Sequence, residues 1–195
     1  MRTAALAALA WLLAAPPGAS AVAAEAVSAQ PAQSAPAAHI ARALPQARLA
    51  GQGGYSWFGL KIYHAQLWVG EQGYRGGAPE AAPFVLDLRY QRALDGARIA
   101  AASVEQMRKI GAGSAAQRQA WLQTMERIFP DVQEGTHISG AYLPGAGARF
   151  YLDGKALAEV PDAAFARAFF AIWLDPASSA GELREALLLD AAPRR

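Results

Sequence analysis

Three side chains on predicted strands could do acid–base or anion-binding chemistry: Lys61, Tyr63 and Arg89. A tyrosine hydroxyl beside a cation can move a proton at a reacting oxygen, provided the groups converge within hydrogen-bond reach in one pocket. By parity Lys61 and Tyr63 share a sheet face if no bulge intervenes. Either cation could instead anchor a carboxylate in an apolar pocket, or sit on the solvent face with its stem packed. The aromatic residues Tyr55, Trp57, Phe58, Tyr63 and Trp68 read either as a ligand wall or as an ordinary sheet core.

Other chemistries find no constellation. His39, His64 and His137 are far apart, and His39 lies in a low-complexity stretch. Asp131, Glu134 and His137 could ligate an ion from one loop, but a helix-to-strand turn is polar anyway. No Ser-His-Asp triad is specified, because His64 or His137 could pair with many serines. Asp87 and Asp95 project from a strand face and a helix start. Gly145-Ala146-Gly147 lies between strands and reads as a hairpin loop, not a phosphate cradle. P-loop, dinucleotide, GxSxG and HExxH motifs are missing. Zero cysteine removes disulfides, Fe–S clusters, thiolate zinc sites and Cys nucleophiles. No cofactor and no metal are expected.

The elements that must position these residues occupy one predicted domain of the 195-residue chain. Lys and Arg number 18 against 16 Asp and Glu, with no basic cluster, so a nucleic-acid partner is not expected. Arg2, the uncharged run Ala4 to Ala15, the break at Pro16-Pro17-Gly18 and the small residues Ala19-Ser20-Ala21 or Val22-Ala23-Ala24 have signal-peptide anatomy. The run is about 12 residues, short of the ~20 needed to span a bilayer. We therefore expect a signal peptide over 1–24, cleavage near Ala21 or Ala24, export to the periplasm and no stable membrane span afterwards. Residues 25–46, rich in Ala, Pro, Gln and Ser, are expected to be a flexible lead-in. The domain is placed at 47–190.

Residues 54–69 read as extended, with a parity switch that requires a bulge or bend near Gly59 or between Tyr63 and Gln66. Residues 71–83 form a Gly/Pro loop. Residues 84–91 alternate cleanly, with Phe84, Leu86, Leu88 and Tyr90 facing the core. Ile99, Ser103, Met107 and Ile110 make a helical stripe. Ser114 with Gln117 is a capping box for a helix burying Trp121, Leu122, Met125, Ile128 and Phe129. Strands follow at 135–143 and 147–152, then a hairpin turning at Asp153-Gly154. Asp162 caps a helix whose stripe is Phe165, Ala168, Phe169, Ile172 and Trp173. Ser179 with Glu182 opens the last helix. Grouped strands and helices with hairpin connections give an α+β class, helices packed on a mostly antiparallel sheet.

Several phrases, in order, carry a resemblance: WFGLKIYHAQLWV (57–69), FVLDLRY (84–90), SVEQMRKIG (103–111), FPDVQEGTHISGAYLPGAGARFYLDGK (129–155) and FARAFFAIWLDP (165–176). Together they resemble the bacterial secreted branch of the chalcone isomerase-like family, over about 47–189. The resemblance implies an open-faced β-sandwich, an antiparallel sheet covered by a helical layer. In the plant isomerases of that family an arginine and polar Thr, Tyr and Asn side chains serve ring closure. Non-catalytic relatives bind fatty acids in the same cleft, where an arginine and a tyrosine meet the carboxylate. Threaded onto this chain, the arginine position falls near Gly51 with Arg48 three residues away. The threonine falls at Tyr63, the tyrosine near Asp95, the asparagine near Ala102, and the polar position of the FFAIWL helix at Ile172. The polar set is not retained.

The reading is a periplasmic chalcone isomerase-fold protein without catalysis. It binds a small apolar ligand, such as a fatty acid or an aromatic compound, through Tyr55, Trp57, Lys61, Tyr63, Arg89, Met107, Phe169 and Trp173. One alternative is an isomerase or lyase with an altered active site, using Tyr63 with Lys61 or Arg89. Another is an envelope interaction module, which calls for an exposed apolar patch.

Overall fold

A computed structural model describes residues 35–74 and 82–193. The expected signal peptide and the first part of the lead-in, residues 25–34, lie outside them, as does most of the 71–83 loop. Elements run α1 (Ala38–Ala43), β1 (Arg48–Trp57), β2 (Leu60–Val69), β3 (Phe84–Tyr90), α2 (Gly96–Lys109), α3 (Ala115–Ile128), β4 (His137–Leu143), β5 (Gly147–Leu152), β6 (Lys155–Val160), α4 (Ala163–Leu174) and α5 (Gly181–Leu187). The six strands form one antiparallel sheet in sequence order, β1 to β6. This is the α+β, open-faced arrangement expected from the sequence. Among the described residues no helix is long and apolar enough to cross a membrane.

The alternation in β3 defines two faces. Phe84, Leu86, Leu88 and Tyr90 join a large core with Leu67, Val69, Ile138, Tyr142, Phe150 and the inward stripes of α2 to α5. We call this the front. On the back, Trp68, Val85, Ala141 and Tyr151 pack with Ile40 and Leu44 of α1. Much of the rest of the back is open: Arg89 is exposed, and His64, Gln66, His137 and Arg149 are half-buried.

Helix α4 is the keel of the front layer. Phe165, Ala166, Ala168, Phe169, Phe170, Ile172, Trp173 and Leu174 are all buried, because a helix sandwiched between sheet and other helices is apolar nearly all round. Asp162 starts it, its carboxylate accepting from the amides of Ala164 and Phe165. Ser114 and Gln117 form the expected capping box of α3. The box expected for α5 does not form. Ala180 is its N-cap, and Ser179 donates instead to Gln106 at 2.6 Å.

Two further expectations are corrected. The bend expected near Gly59 is a full turn: the run 54–69, counted as a single strand, is the greater part of a hairpin, β1–β2, turning at Phe58-Gly59 with φ of 47° and 76°. Its first strand reaches back to Arg48 through a glycine-rich stretch of low β-propensity. The lead-in also ends earlier than 46. Alanines favour helix over Ala38–Ala43, Ile40 and Leu44 fall on one face, and both are 2% exposed against the back of the sheet.

Candidate functional site

The front core narrows to an aromatic cluster where β1, β2 and β3 meet α4. Tyr55 and Tyr63 are cross-strand partners and their rings stack at 5.2 Å. Tyr63 pairs with Tyr90 on β3, edge to face at 6.1 Å. Trp173 of α4 donates its indole N–H to the Tyr63 hydroxyl at 2.9 Å. Burial pushes the Tyr63 phenol well above its ordinary value, with the Trp173 hydrogen bond opposing. Burial alone raises Tyr90, and no hydrogen bond to a described residue offsets it. Both hydroxyls are therefore protonated at neutral pH. Tyr63 accepts from Trp173 and keeps its own proton to give; Tyr90 keeps both functions.

The structure brings some of the expected site residues together and separates others. Tyr55, Tyr63 and Trp173 meet as described, and Phe169 packs on Trp173 at 5.4 Å. Met107 is fully buried on α2 within the same core. Trp57 is outside, 59% exposed at the hairpin tip. Lys61 and Arg89 are on the back. The hairpin register passes from Tyr55↔Tyr63 directly to Ser56↔Lys61, so Ile62 is an extra residue and Lys61 changes face. Arg89 pairs with His64 and His137, one step out of phase with Tyr90. A Tyr63–Lys61–Arg89 trio in one pocket does not exist.

The threaded positions are likewise closed to polar chemistry. A side chain at Gly51 would put its Cβ 2.0 Å from the Ala186 carbonyl oxygen, because the end of α5 lies directly on that strand. Arg48 is buried but engaged: its guanidinium donates to the carbonyls of Asp190 and Ala192 and to the Asp190 carboxylate. Asp95 is exposed and paired with Arg98 at 3.0 Å. Ala102 is exposed on α2, and Ile172 is buried.

On the back lies a polar network that the sequence did not disclose. Ser139, with no exposure, donates to Asp87 at 2.6 Å. His137 Nδ1 bonds the other carboxylate oxygen at 2.9 Å. His39 of α1 lies 2.8 Å from Ser139 Oγ through Nε2. Since the single hydroxyl proton points to Asp87, His39 Nε2–H is the donor to Ser139. Burial lowers the His39 pKa against the pull of Asp87, while His137 and Arg42 push it down further. The residue types are those of a hydrolase triad, but the hydroxyl is spent on the carboxylate and is inaccessible. The arrangement fastens α1 to β3 and β4. Its only sequence signal was His137 and Ser139 two apart on one strand face, opposite Asp87. Among the described residues no group of acidic and histidine side chains could hold a metal ion. A shallow groove of about 510 Å³ lies beside α1, lined by Arg42, Tyr151 and the β6 edge.

Comparison with known proteins agrees with the architecture. A family model described as chalcone isomerase-like matches residues 34–189. A Haemophilus influenzae protein described as uncharacterised is 28% identical over 140 residues, 71% of this chain and 66% of that protein, so the match spans just under two thirds of the relative. The crystal structure of an Arabidopsis thaliana fatty-acid binding protein is similar with a TM-score of 0.61 at 15% identity, covering 75% of this chain and 89% of that one. At that identity the likeness establishes the fold. With four fifths of its length matched by the family model, the chain belongs to the chalcone isomerase-like family.

Proposed function

We propose that the protein is a non-catalytic binding protein, exported to the periplasm of a bacterium, that holds a small apolar ligand such as a fatty acid or an aromatic compound. The observation that carries this reading is the Tyr90 hydroxyl. Tyr90 is 4% exposed at the aromatic end of the front core and its hydroxyl bonds no described residue, next to Tyr63, which also has a proton to donate. A ligand oxygen that accepts from one of these hydroxyls gains about 0.5–1.5 kcal/mol net. The apolar side chains of the same core, Phe169, Trp173 and Met107, suit contact with a hydrocarbon or ring.

Absence of catalysis is supported by charge placement. Stabilising a developing phenolate or enolate needs donors and cations aimed at it. Here Lys61 and Arg89 belong to the other face, and Arg48 is tied to the C-terminal segment. Two neutral phenols suit a carbonyl, a protonated carboxyl or a phenol. The fatty-acid binding of the Arabidopsis neighbour supports the ligand class. Export is supported by the signal-peptide anatomy of residues 1–24.

The test is native mass spectrometry and organic extraction of the purified chain, followed by titration with a long-chain fatty acid and an aromatic phenol. Tyr90→Phe should weaken the bound class about fivefold, the worth of one hydrogen bond near 1 kcal/mol, without lowering the Tm. A chain that co-purifies with no ligand and binds neither probe would refute the reading.

A further inference from the structure

The β1–β2 hairpin reaches beyond its neighbours. Strand β3 pairs with β2 only from Tyr63 to Val69, so Leu60, Lys61 and the turn have no third strand beside them. At the tip Trp57, Phe58 and Leu60 are 59%, 87% and 51% exposed, and the Trp57 and Phe58 rings pack edge to face at 4.7 Å. The two turn residues both have positive φ, 47° at Phe58 and 76° at Gly59. Such a turn favours Asn-Gly or Gly-Gly. A bulky aromatic with positive φ is an outlier that costs backbone energy. The chain thus accepts strain to hold a phenyl ring in water, where it packs on nothing but its neighbour.

From this we infer that the hairpin tip is a membrane-docking element whose occupant is an anionic lipid bilayer. Trp favours the headgroup level, and Phe and Leu the acyl boundary beneath it. Charge selects the surface. From Gly51 to Val69 the hairpin carries Lys61 and no carboxylate. Lys61 is exposed on the back face beside the tip, with the exposed Arg89 farther back along the same face opposite His64, so that Lys61 meets lipid phosphates first as the apolar residues enter. A protein partner's apolar patch would not require the lysine beside the ring cap. The inference goes beyond ligand binding in the front core and does not depend on it.

Full-length protein is mixed with vesicles of equimolar phosphatidylcholine and phosphatidylglycerol, and separately with phosphatidylcholine alone, and binding is read by co-sedimentation. The parent should bind the anionic vesicles, and more weakly as salt rises. Phe58→Asn should cut partitioning about tenfold or more while leaving the Tm equal or higher, because Asn tolerates the left-handed turn. Lys61→Glu should reduce binding to the anionic vesicles and leave the phosphatidylcholine control unchanged. A parent that binds neither vesicle overturns the inference, as does Phe58→Asn binding as well as the parent. A parent that self-associates through the tip in sedimentation analysis, without vesicle binding, also overturns it and assigns the surface to a second copy. Ligand titration in free solution is run alongside: its failure counts against the binding reading alone, and vesicle binding counts on the tip alone.

Discussion

Replacing His39 by alanine probes the fastening of α1 with two signatures. His39 is 7% exposed; it donates to Ser139 and its ring lies 5.1 Å from Tyr151. Losing one neutral buried hydrogen bond costs about 0.5–1.5 kcal/mol, and losing the ring contact about as much again. The sum is about 2 kcal/mol near pH 7.5, which lowers the Tm by about 4–8 °C for a domain of this size. The second signature is pH. Burial holds the folded-state pKa of His39 below its ordinary value, so the unfolded chain takes up the proton first on acidification. The stability carried by neutral His39 is complete above about pH 6.5 and is lost as pH falls from there through the lowered folded pKa. One proton gives at most about 1.4 kcal/mol per pH unit in that window. Asp87, His137 and Arg42 act on the ring in the parent. The gap between His39→Ala and the parent should therefore narrow from pH 7 to 5. Urea unfolding of both proteins across this range measures it. A gap that stays constant, or widens in acid, would refute a neutral, buried His39.

Gly51→Ala should destabilise the protein by about 1–3 kcal/mol, the cost of forcing a methyl into a packed site, since the Cβ would meet the Ala186 carbonyl. Hydrogen exchange should speed first in α5, while Gly54→Ala, which meets nothing within 4 Å, should be near neutral. Asp162 caps α4 and accepts from the Trp121 indole at 2.9 Å, so Asp162→Ala should cost about 2–4 kcal/mol by thermal unfolding and Asp162→Asn distinctly less. Burial works to raise the Asp162 pKa, but hydrogen bonds from Phe165, Trp121 and Ala164 outweigh it and the pKa falls. Its contribution is thus complete above its ordinary carboxylate value and lost as pH drops below it.

The elements legible in the sequence were those where one local signal was enough. Strand β3 pairs without a bulge and has one face in the core, so strict alternation survived from Phe84 to Tyr90. Asp153-Gly154, Ser114 with Gln117, and Asp162 announce turn and caps through side-chain and backbone chemistry acting within three residues. What was hidden depends on partners far away. The glycines of β1 have no strand propensity; they are there because α5 lies against Gly51 and Gly53. The parity switch pointed to a bend near Gly59, but an aromatic residue in a position that usually advertises itself with asparagine masked that it is a full hairpin turn. Helix α1 is short and alanine-rich, and what orders it is burial of Ile40 and Leu44 and a bond from His39 to a serine 100 positions later. Pairing His39 with Ser139 rather than another serine required the sheet register.

Register also decides what the front face can do. Ile62 is a single inserted residue, and in a sheet a one-residue offset moves every following side chain to the opposite face. Were Ile62 kept but paired regularly, with no bulge, Lys61 would stand on the face of Tyr63, next to the two phenols, and the aromatic end of the core would hold a cation beside proton donors. With the bulge, the aromatic end of the front holds the neutral hydroxyls of Tyr63 and Tyr90, and the lysine joins Arg89 on the outer surface. The same bulge therefore separates two chemistries along one hairpin: an uncharged, hydrogen-bonding interior suited to holding an apolar molecule without reacting with it, and a cationic flank beside Trp57, Phe58 and Leu60. Turning Lys61 inward would carry the cost of desolvating an ammonium. That cost explains why the charge belongs outside, where lipid phosphate or water can pair it.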